Sequence, residues 1–148
     1  MKRITVLLAD DNKLVRGEFR GILECENDIE VVGEANTGRL AVAMVKKLRP
    51  ALVLMDVAMP LLNGFQATRQ ILKALPAIKI LMLSAHNDDA YVEEAINSGA
   101  MGYLIKQTSS ASVCQAIREV HKGKRFFSPS IPSLLYRCTR KKPAKTPA

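Results

Sequence analysis

The stretch LVLMDVAMP, residues 52–60, places a carboxylate directly after a run of four apolar residues. Such a run is typical of a buried strand, and Asp56 stands at its end with Met59 and Pro60 close behind. Burying an unpaired carboxylate is unfavourable unless a cation or hydrogen bonds compensate for its charge. Asp56 therefore indicates a site whose chemistry needs a negative charge at the end of a strand.

Four more apolar runs of strand character occur along the chain, and amphipathic segments with helical spacing separate the runs. Near-continuous apolar strands that alternate with helices are typical of a parallel sheet covered on both faces. We predict an α/β fold with a doubly wound five-stranded parallel sheet, flavodoxin-like, with strand order 2-1-3-4-5. The predicted strands are residues 4–9, 29–35, 51–55, 78–84 and 101–105.

The alternation of strands and helices ends at Gly123, so we predict a domain over residues 1–123 and a proline-containing linker over residues 124–148. The net charge of +8 lies entirely in residues 122–148, which hold eight basic residues and no acid. Such a tail contacts phosphates weakly and without sequence preference, so we expect no recognition of a DNA sequence by this chain. Phe126, Phe127 and Ile131 are expected to pack back on the domain.

Composition argues against several classes of protein. Cys25, Cys114 and Cys138 are widely spaced and form no CxxC motif, which favours reduced thiols over a disulfide or a zinc site. The run ITVLLA is too short for a signal peptide, and no apolar run reaches the length of a membrane span. Glycine-rich phosphate loops of nucleotide-binding proteins are missing from the sequence. We therefore expect a cytoplasmic protein without a membrane partner.

Polar residues stand at the carboxyl ends of the predicted strands, where ligands bind in open parallel sheets. Singly, each has a plain structural interpretation; Asp10 or Asp11, for example, suits the cap of the first helix. Together they predict a site in which carboxylates hold Mg²⁺, an ammonium and a hydroxyl bind phosphate, and an aspartate is the nucleophile. These residues are Asp10 and Asp11 after strand 1, Asp56 after strand 3, Ser84 at the end of strand 4 and Lys106 after strand 5.

The motifs LLADDN, LVLMDVAMPLLNG, LMLSA and GYLIKQ together resemble the receiver domain of bacterial two-component response regulators, over about residues 3–123. The segments VVGEANTG and AIREVHKGKRFFSP are similar to the NarL/FixJ type, whose LuxR-type output is a helix-turn-helix DNA-binding domain. Gln107 departs from the pattern, because many receivers have a proline after the lysine.

The resemblance implies that Asp56 accepts a phosphoryl group from a sensor histidine kinase. It also implies that Mg²⁺ is bound by Asp10, Asp11, Asp56 and the backbone carbonyl of Ala58, with Asp11 the more direct ligand. The expected function is a phosphorylatable switch. Its catalysis is limited to its own phosphorylation and a slow autodephosphorylation.

The resemblance further implies that Ser84 and Lys106 bind the phosphoryl oxygens, and that the position of Tyr103 reports phosphorylation. The implied partners are the kinase, a helix-turn-helix output domain acting on DNA, and a second copy in a phosphorylation-dependent homodimer. Because relatives of this type continue into a second domain, we expect a truncated regulator rather than a natural single-domain one.

Two alternatives remain open from the sequence. A Mg²⁺-dependent phosphotransferase or phosphatase of small molecules could use similar aspartates, although the chain has no substrate-sized insertion. A receiver-like scaffold without phosphorylation is disfavoured, because every chemical group is present. His86, two positions after Ser84, either tunes the site or is an exposed loop histidine.

Overall fold

The computed structural model describes residues 3–86 and 88–127. In this part of the chain, five helices alternate with strands, and a short sixth strand follows the last helix. The strands are β1 (Ile4–Ala9), β2 (Ile29–Ala35), β3 (Leu52–Asp56), β4 (Lys79–Ser84), β5 (Gly102–Ile105) and β6 (Phe126–Phe127). The helices are α1 (Lys13–Glu24), α2 (Gly38–Leu48), α3 (Gly64–Ala74), α4 (Asp89–Ser98) and α5 (Ser110–His121).

The strands form one parallel sheet in the order β2-β1-β3-β4-β5-β6. The predicted fold and the predicted order of the first five strands are confirmed, and each of these strands begins and ends within one residue of its predicted bounds. Every residue of β3 is buried. The order places β1 beside β3, which is the position where the chain switches from one edge of the sheet to the other.

The sixth strand extends the predicted five-stranded sheet. Phe126 and Phe127 pair in parallel with Gly102 and Tyr103 of β5. They lie within the segment predicted as linker, and they pack on the domain as expected, Phe127 being buried. Ile131 and the rest of the predicted linker from residue 128 lie outside the described residues.

The helices cover the two faces of the sheet, and each face has its own apolar core. Helices α2, α3 and α4 pack on one face, around side chains such as Val45, Ile71 and Val92. Helices α1 and α5 pack on the other, around Leu23 and Ile117 among others. Both faces of the strands are therefore buried, which accounts for their near-continuous apolar sequences.

Helix α3 begins very close to the strand that carries Asp56. Asn63 and Gln66 form a reciprocal capping box at its start, in which each side chain accepts a hydrogen bond from the other residue's main chain. A methyl group at Gly64 would collide with the carbonyl oxygen of Asp56. Glycine thus allows the first turn of α3 to rest directly against the backbone of this aspartate.

An ion-pair cluster joins α5 to the turn between α1 and β2. The guanidinium of Arg118 bonds to Asp28, with 2.8 Å between Nε and Oδ2, and also contacts Glu26. Hydrogen bonding to Arg118 is the main reason why the pKa of Asp28 lies below its ordinary value. The cluster lies at the amino-terminal edge of the sheet, where β2 begins, and is therefore remote from the acidic residues at the other edge.

A groove of about 540 Å³ separates α1 from α5, and both thiols of the described residues line it. Cys25 is exposed, Cys114 is buried, and neither forms a disulfide. The predicted polar site shares no residue with the lining of this groove. Cys138 lies outside the described residues.

Among residues 3–86 and 88–127, none of the helices has the length and apolar character required to span a bilayer.

Candidate functional site

The structure brings the predicted polar residues together at the carboxyl edge of the sheet. Asp10 follows β1, Asp56 is the last residue of β3, Ser84 is the last of β4, and Lys106 follows β5. Asp10, Asp56 and Ser84 are almost inaccessible, with 4%, 2% and 2% of each residue's surface exposed. Their convergence follows from the parallel order of β1, β3, β4 and β5, which aligns the ends of these strands.

Lys106 bridges two of the carboxylates. Its Nζ lies 3.1 Å from Oδ1 of Asp56 and 3.3 Å from Oδ2 of Asp10. Burial disfavours the charged ammonium, but the attraction of Asp56 and Asp10 outweighs burial and raises the pKa of Lys106 above its usual value. The lysine therefore stays charged and partly neutralises the acidic pair.

The environment of Asp56 raises the pKa of this carboxyl. Burial, reinforced by the negative charge of Asp10, raises the pKa of Asp56 to about 6. The charge of Lys106 and a hydrogen bond from the backbone N–H of Ala58 act in the opposite direction. At neutral pH the carboxylate is thus mainly ionised, but in a position where the charge is costly.

Three carboxylates at this edge are close enough to hold one cation. Asp10, Asp11 and Asp56 each offer an oxygen, and the three oxygens lie within 4.8 Å of one another. Oδ2 of Asp10 is buried and lacks a hydrogen-bond partner among the described residues, so that its ion pair with Lys106 leaves coordination capacity free. A set of hard carboxylate oxygens fits Mg²⁺. The carbonyl of Ala58 as a further ligand stays a prediction.

The interpretation of Asp10 or Asp11 as a helix cap is wrong. The cap of α1 is Asn12, whose Oδ1 accepts hydrogen bonds from the backbone N–H groups of Leu14 and Val15. Oδ1 of Asp10 instead accepts a hydrogen bond of 2.8 Å from the N–H of Asn12. Because the asparagine caps the helix, both aspartates are available for the site.

Ser84 and Tyr103 are linked through the main chain of His86. The N–H of His86 donates to Oγ of Ser84 at 2.9 Å, and the Tyr103 hydroxyl donates to the carbonyl of His86 at 2.6 Å. The ring of Tyr103 is fully buried on β5, and burial is the main cause that raises its pKa to about 12. The hydroxyl therefore remains protonated and able to donate at any physiological pH.

The imidazole of His86 stacks on a ring that the sequence did not single out. The ring centroids of His86 and Tyr91 are 4.5 Å apart, and Tyr91 also makes an edge contact with Phe65 of α3. Sequence reasoning missed Tyr91 because its spacing on α4 carries no sign of a contact with the loop before the helix. His86 is an exposed loop residue, which is one of the two alternatives left open by the sequence, and its ring is held against α4.

The fold and the acidic edge define an α/β domain of the receiver type, and comparison with known proteins gives the same result. The response regulator receiver domain family matches residues 6–118. The chain belongs to this family.

Similar proteins include two regulators of the NarL/LuxR type. The transcriptional regulatory protein DegU of Brevibacillus brevis is 36% identical over 129 residues, which are 87% of this chain and 55% of DegU. The response regulator protein VraR of Staphylococcus aureus is 40% identical over 128 residues, 86% of this chain and 61% of VraR. The chain thus spans little more than half the length of these curated relatives.

A solved structure supports the same assignment. The two-component response regulator of the LuxR family from Aurantimonas sp. SI85-9A1 superposes with a TM-score of 0.86 at 30% sequence identity. The match covers 95% of this chain and 100% of that one. The resemblance to NarL/FixJ-type receivers stated from the sequence motifs is confirmed.

Proposed function

We propose that Asp56 accepts a phosphoryl group from a phosphohistidine of a sensor histidine kinase and that the chain thereby switches conformation. The observation that carries the proposal is the contact of one ammonium, that of Lys106, with both Asp56 and Asp10. A lysine with two carboxylates at the end of parallel strands provides both a nucleophile and a countercharge for phosphate.

In the transfer, a carboxylate oxygen of Asp56 forms a bond to phosphorus, and the bond between phosphorus and the histidine nitrogen breaks. The electron pair of the broken bond returns to the imidazole of the kinase. Lys106, already 3.1 Å from Asp56, stays beside the phosphoryl oxygens and balances part of their charge. Mg²⁺ held by Asp10, Asp11 and Asp56 supplies further positive charge when it is bound.

The switch follows from the new acceptors that the phosphoryl group brings to the edge of the sheet. Its oxygens attract the hydroxyl of Ser84, which lies at the end of the neighbouring strand and interacts with the N–H of His86. Because Tyr103 holds the carbonyl of the same residue, a shift of Ser84 changes the environment of this buried ring. Phosphorylation thus favours a different arrangement of β4, α4 and β5, as a ligand shifts a population.

We infer that the switch controls transcription through a helix-turn-helix domain of the whole regulator. Support comes from the relatives, since DegU is named a transcriptional regulatory protein and the similar solved structure is a LuxR-family regulator. A phosphorylation-dependent homodimer is the assembly that we expect for such a regulator. The sensor histidine kinase that donates the phosphoryl group is part of the same proposal.

Intact-mass measurement after incubation with a small phosphodonor and Mg²⁺ tests the phosphoacceptor. We expect one added phosphoryl group on the wild-type chain and none on Asp56→Asn. Asp28→Asn is the matched control, because this aspartate lies at the opposite edge of the sheet and should leave the adduct unchanged. An adduct of undiminished yield in Asp56→Asn would place the acceptor elsewhere.

The alternative of a small-molecule phosphatase predicts a different result. A switch is modified once for each acceptor, whereas a phosphatase releases many phosphate ions for each chain. Continuous release of phosphate from simple phosphate esters, lost in Asp56→Asn, would favour the enzyme.

A further inference from the structure

Arg16 connects three elements around the first of the acidic residues. Its Nη1 donates a hydrogen bond of 2.7 Å to the main-chain carbonyl of Asp10. Its Nε donates to Oε1 of Glu34 on β2 at 2.8 Å. Only 13% of the Arg16 side chain is exposed, so the guanidinium is held between α1, β2 and the turn after β1.

Asp10 is restrained through nearly all of its polar groups. Its N–H donates to the carbonyl of Ala35 at 3.0 Å, its carbonyl accepts from Arg16, and Oδ1 accepts from the N–H of Asn12. The remaining oxygen, Oδ2, is buried and directed at Lys106. The three restraints therefore leave a single oxygen of this residue free to serve the site.

The carbonyl that Arg16 holds belongs to the peptide that joins Asp10 to Asp11. Its orientation sets the direction in which Asp11 leaves the strand, and with it the position of the Asn12 N–H that binds Oδ1 of Asp10. We propose that Arg16 is a positioning residue for the cation site, which fixes both carboxylates through this one carbonyl. The inference rests on the proposed Mg²⁺-dependent function.

Glu34 completes the arrangement. A guanidinium close to a cation site repels the cation, and the carboxylate of Glu34 compensates for that charge through its contacts with Arg16 and Arg20. Hydrogen bonding by Arg16 and then by Arg20 holds the pKa of Glu34 below its usual range, so Glu34 stays ionised. Arg16 and Glu34 together thus present a rigid hydrogen-bond donor to the Asp10 carbonyl while adding little net charge near the cation site.

Charge and positioning predict opposite effects when Arg16 is replaced. If its charge governed the site, Arg16→Met would bind Mg²⁺ more tightly. If its contact with Asp10 governs the site, the same variant binds Mg²⁺ more weakly, by about tenfold as for other groups that orient metal ligands. Arg16→Lys keeps the charge but cannot reproduce the planar fork that reaches both acceptors, so it should also weaken binding.

Arg20 provides the matched control. It lies one turn further along α1 and binds the same glutamate, with Nη1 2.6 Å from Oε2 of Glu34. Its other contact is Glu24 on its own helix, and its described hydrogen bonds do not include Asp10. Arg20→Met therefore removes an equal charge and a contact with Glu34 while leaving the Asp10 carbonyl held.

Two measurements test the inference. In metal-free protein, amide hydrogen exchange at Asn12 should accelerate about fivefold in Arg16→Met, because the acceptor Oδ1 of Asp10 is no longer fixed. Calorimetric titration with Mg²⁺ should show the dissociation constant rising about tenfold in Arg16→Met and less in Arg16→Lys. Arg20→Met should resemble the wild type in both measurements.

The outcomes separate this inference from the proposed function. Exchange at Asn12 and Mg²⁺ affinity that stay at wild-type values in Arg16→Met would overturn the positioning role, as would tighter Mg²⁺ binding. If Arg16→Met does not fold, Arg16→Lys decides by the same criteria. A wild-type chain that binds no Mg²⁺ would overturn the metal-dependent function and with it this inference, even where exchange at Asn12 responds to Arg16.

Discussion

The Tyr103 hydroxyl and the main-chain carbonyl of His86 are joined by a hydrogen bond of 2.6 Å. The N–H of the same histidine donates to Oγ of Ser84 at 2.9 Å. One residue of the β4–α4 connection therefore links a buried ring on β5 to a hydroxyl at the end of β4. If the Ser84 hydroxyl moves toward a ligand, either the β4–α4 connection moves with it or the hydrogen bond from Tyr103 to the His86 carbonyl breaks.

Replacing Tyr103 with Phe tests this link. The substitution keeps the buried ring but leaves the His86 carbonyl without its donor, so we expect the free energy of unfolding to fall by about 1 kcal/mol. Asp56 of the variant should still be phosphorylated, because Tyr103 supplies no group to the phosphoryl transfer. Chemical denaturation and intact-mass measurement check the two parts. Equal stability of Tyr103→Phe and wild type would show that the hydrogen bond does not hold the connection.

The stability of the metal-free protein should depend on pH through Asp56. Mainly because of burial, its pKa is about 6 in the folded state, against an ordinary value of 3.8. The folded state therefore holds this proton more tightly than the unfolded state. Ionisation of Asp56 lowers the free energy of unfolding above about pH 6, whereas below about pH 4 the carboxyl is protonated in both states and has no such effect. Asp56→Asn should be more stable than wild type at neutral pH, by on the order of 2 to 3 kcal/mol.

The measurement is denaturant unfolding at several pH values in the presence of a chelator. The advantage of Asp56→Asn should shrink as the pH falls from about 6 to 4. Asp28→Asn is the control, and its effect on the free energy of unfolding should have the opposite sign. The reason is that the pKa of Asp28 is lowered, chiefly by its hydrogen bonds with Arg118. An Asp56→Asn variant whose advantage does not change with pH would contradict the raised pKa.

The ion pairs of Arg118 should make a modest, salt-sensitive contribution to the free energy of unfolding. About a third of the surface of Arg118 and of Asp28 is exposed, 35% and 34%, so water and salt screen the attraction. We expect Arg118→Met to lower the free energy of unfolding by no more than about 1 kcal/mol. The lowered pKa of Asp28 means that the contribution is present above the ordinary Asp range and is lost as the pH falls through the folded-state value.

Thermal unfolding at low and high salt checks this prediction. Lys122→Met is the control, because its Nζ is 3.6 Å from Glu119 and 60% of its side chain is exposed, so little should change. A loss in Arg118→Met that is as large at high salt as at low salt would mean that packing, and not charge, is responsible.

The phosphoryl group on Asp56 should persist for minutes or longer. Ala58, two positions after the acceptor, has an exposed methyl group that cannot orient an attacking water. The imidazole of His86 is stacked on Tyr91, so we expect His86→Ala to change the lifetime by less than about twofold. Ala58→Asn, which adds a polar group beside the acyl phosphate, should shorten the lifetime by about tenfold.

Following the decay of phosphorylated protein by intact mass gives these lifetimes directly. A wild-type half-life of seconds would contradict the prediction. A large change in His86→Ala would instead assign the histidine a role in hydrolysis.

Most of the fold could be predicted from the sequence, because apolar strand runs and helical spacing are local patterns. The position of the acidic edge followed from strand order, since Asp10, Asp56 and Lys106 each stand at a strand end. The sixth strand was not predicted, because two phenylalanines are too short a run to distinguish a strand from a packed loop.

Contacts between distant side chains could not be predicted in the same way. The hydrogen bond from Arg16 to Asp10 and the stack of His86 on Tyr91 depend on how elements pack, and spacing along the chain gives no sign of them. Capping of α1 by Asp10 or Asp11 was the structural alternative that the sequence offered for these residues, but the cap is Asn12, an equally good capping residue that stands nearer the helix. Sequence patterns thus located the site, and three-dimensional packing determined what holds it in place.

The pairing of β6 with β5 fixes the backbone of Phe126 and Phe127 against the edge of the sheet. Phe127 lies opposite Tyr103 in the register of these strands, and Phe126 is anchored by its N–H to the carbonyl of Met101 at 3.1 Å. The main chain of the last described residues is therefore hydrogen-bonded to the strand that carries the buried tyrosine. Main-chain hydrogen bonds would carry a displacement of β5 to Phe126 and Phe127 directly, independently of the side chains of these two residues.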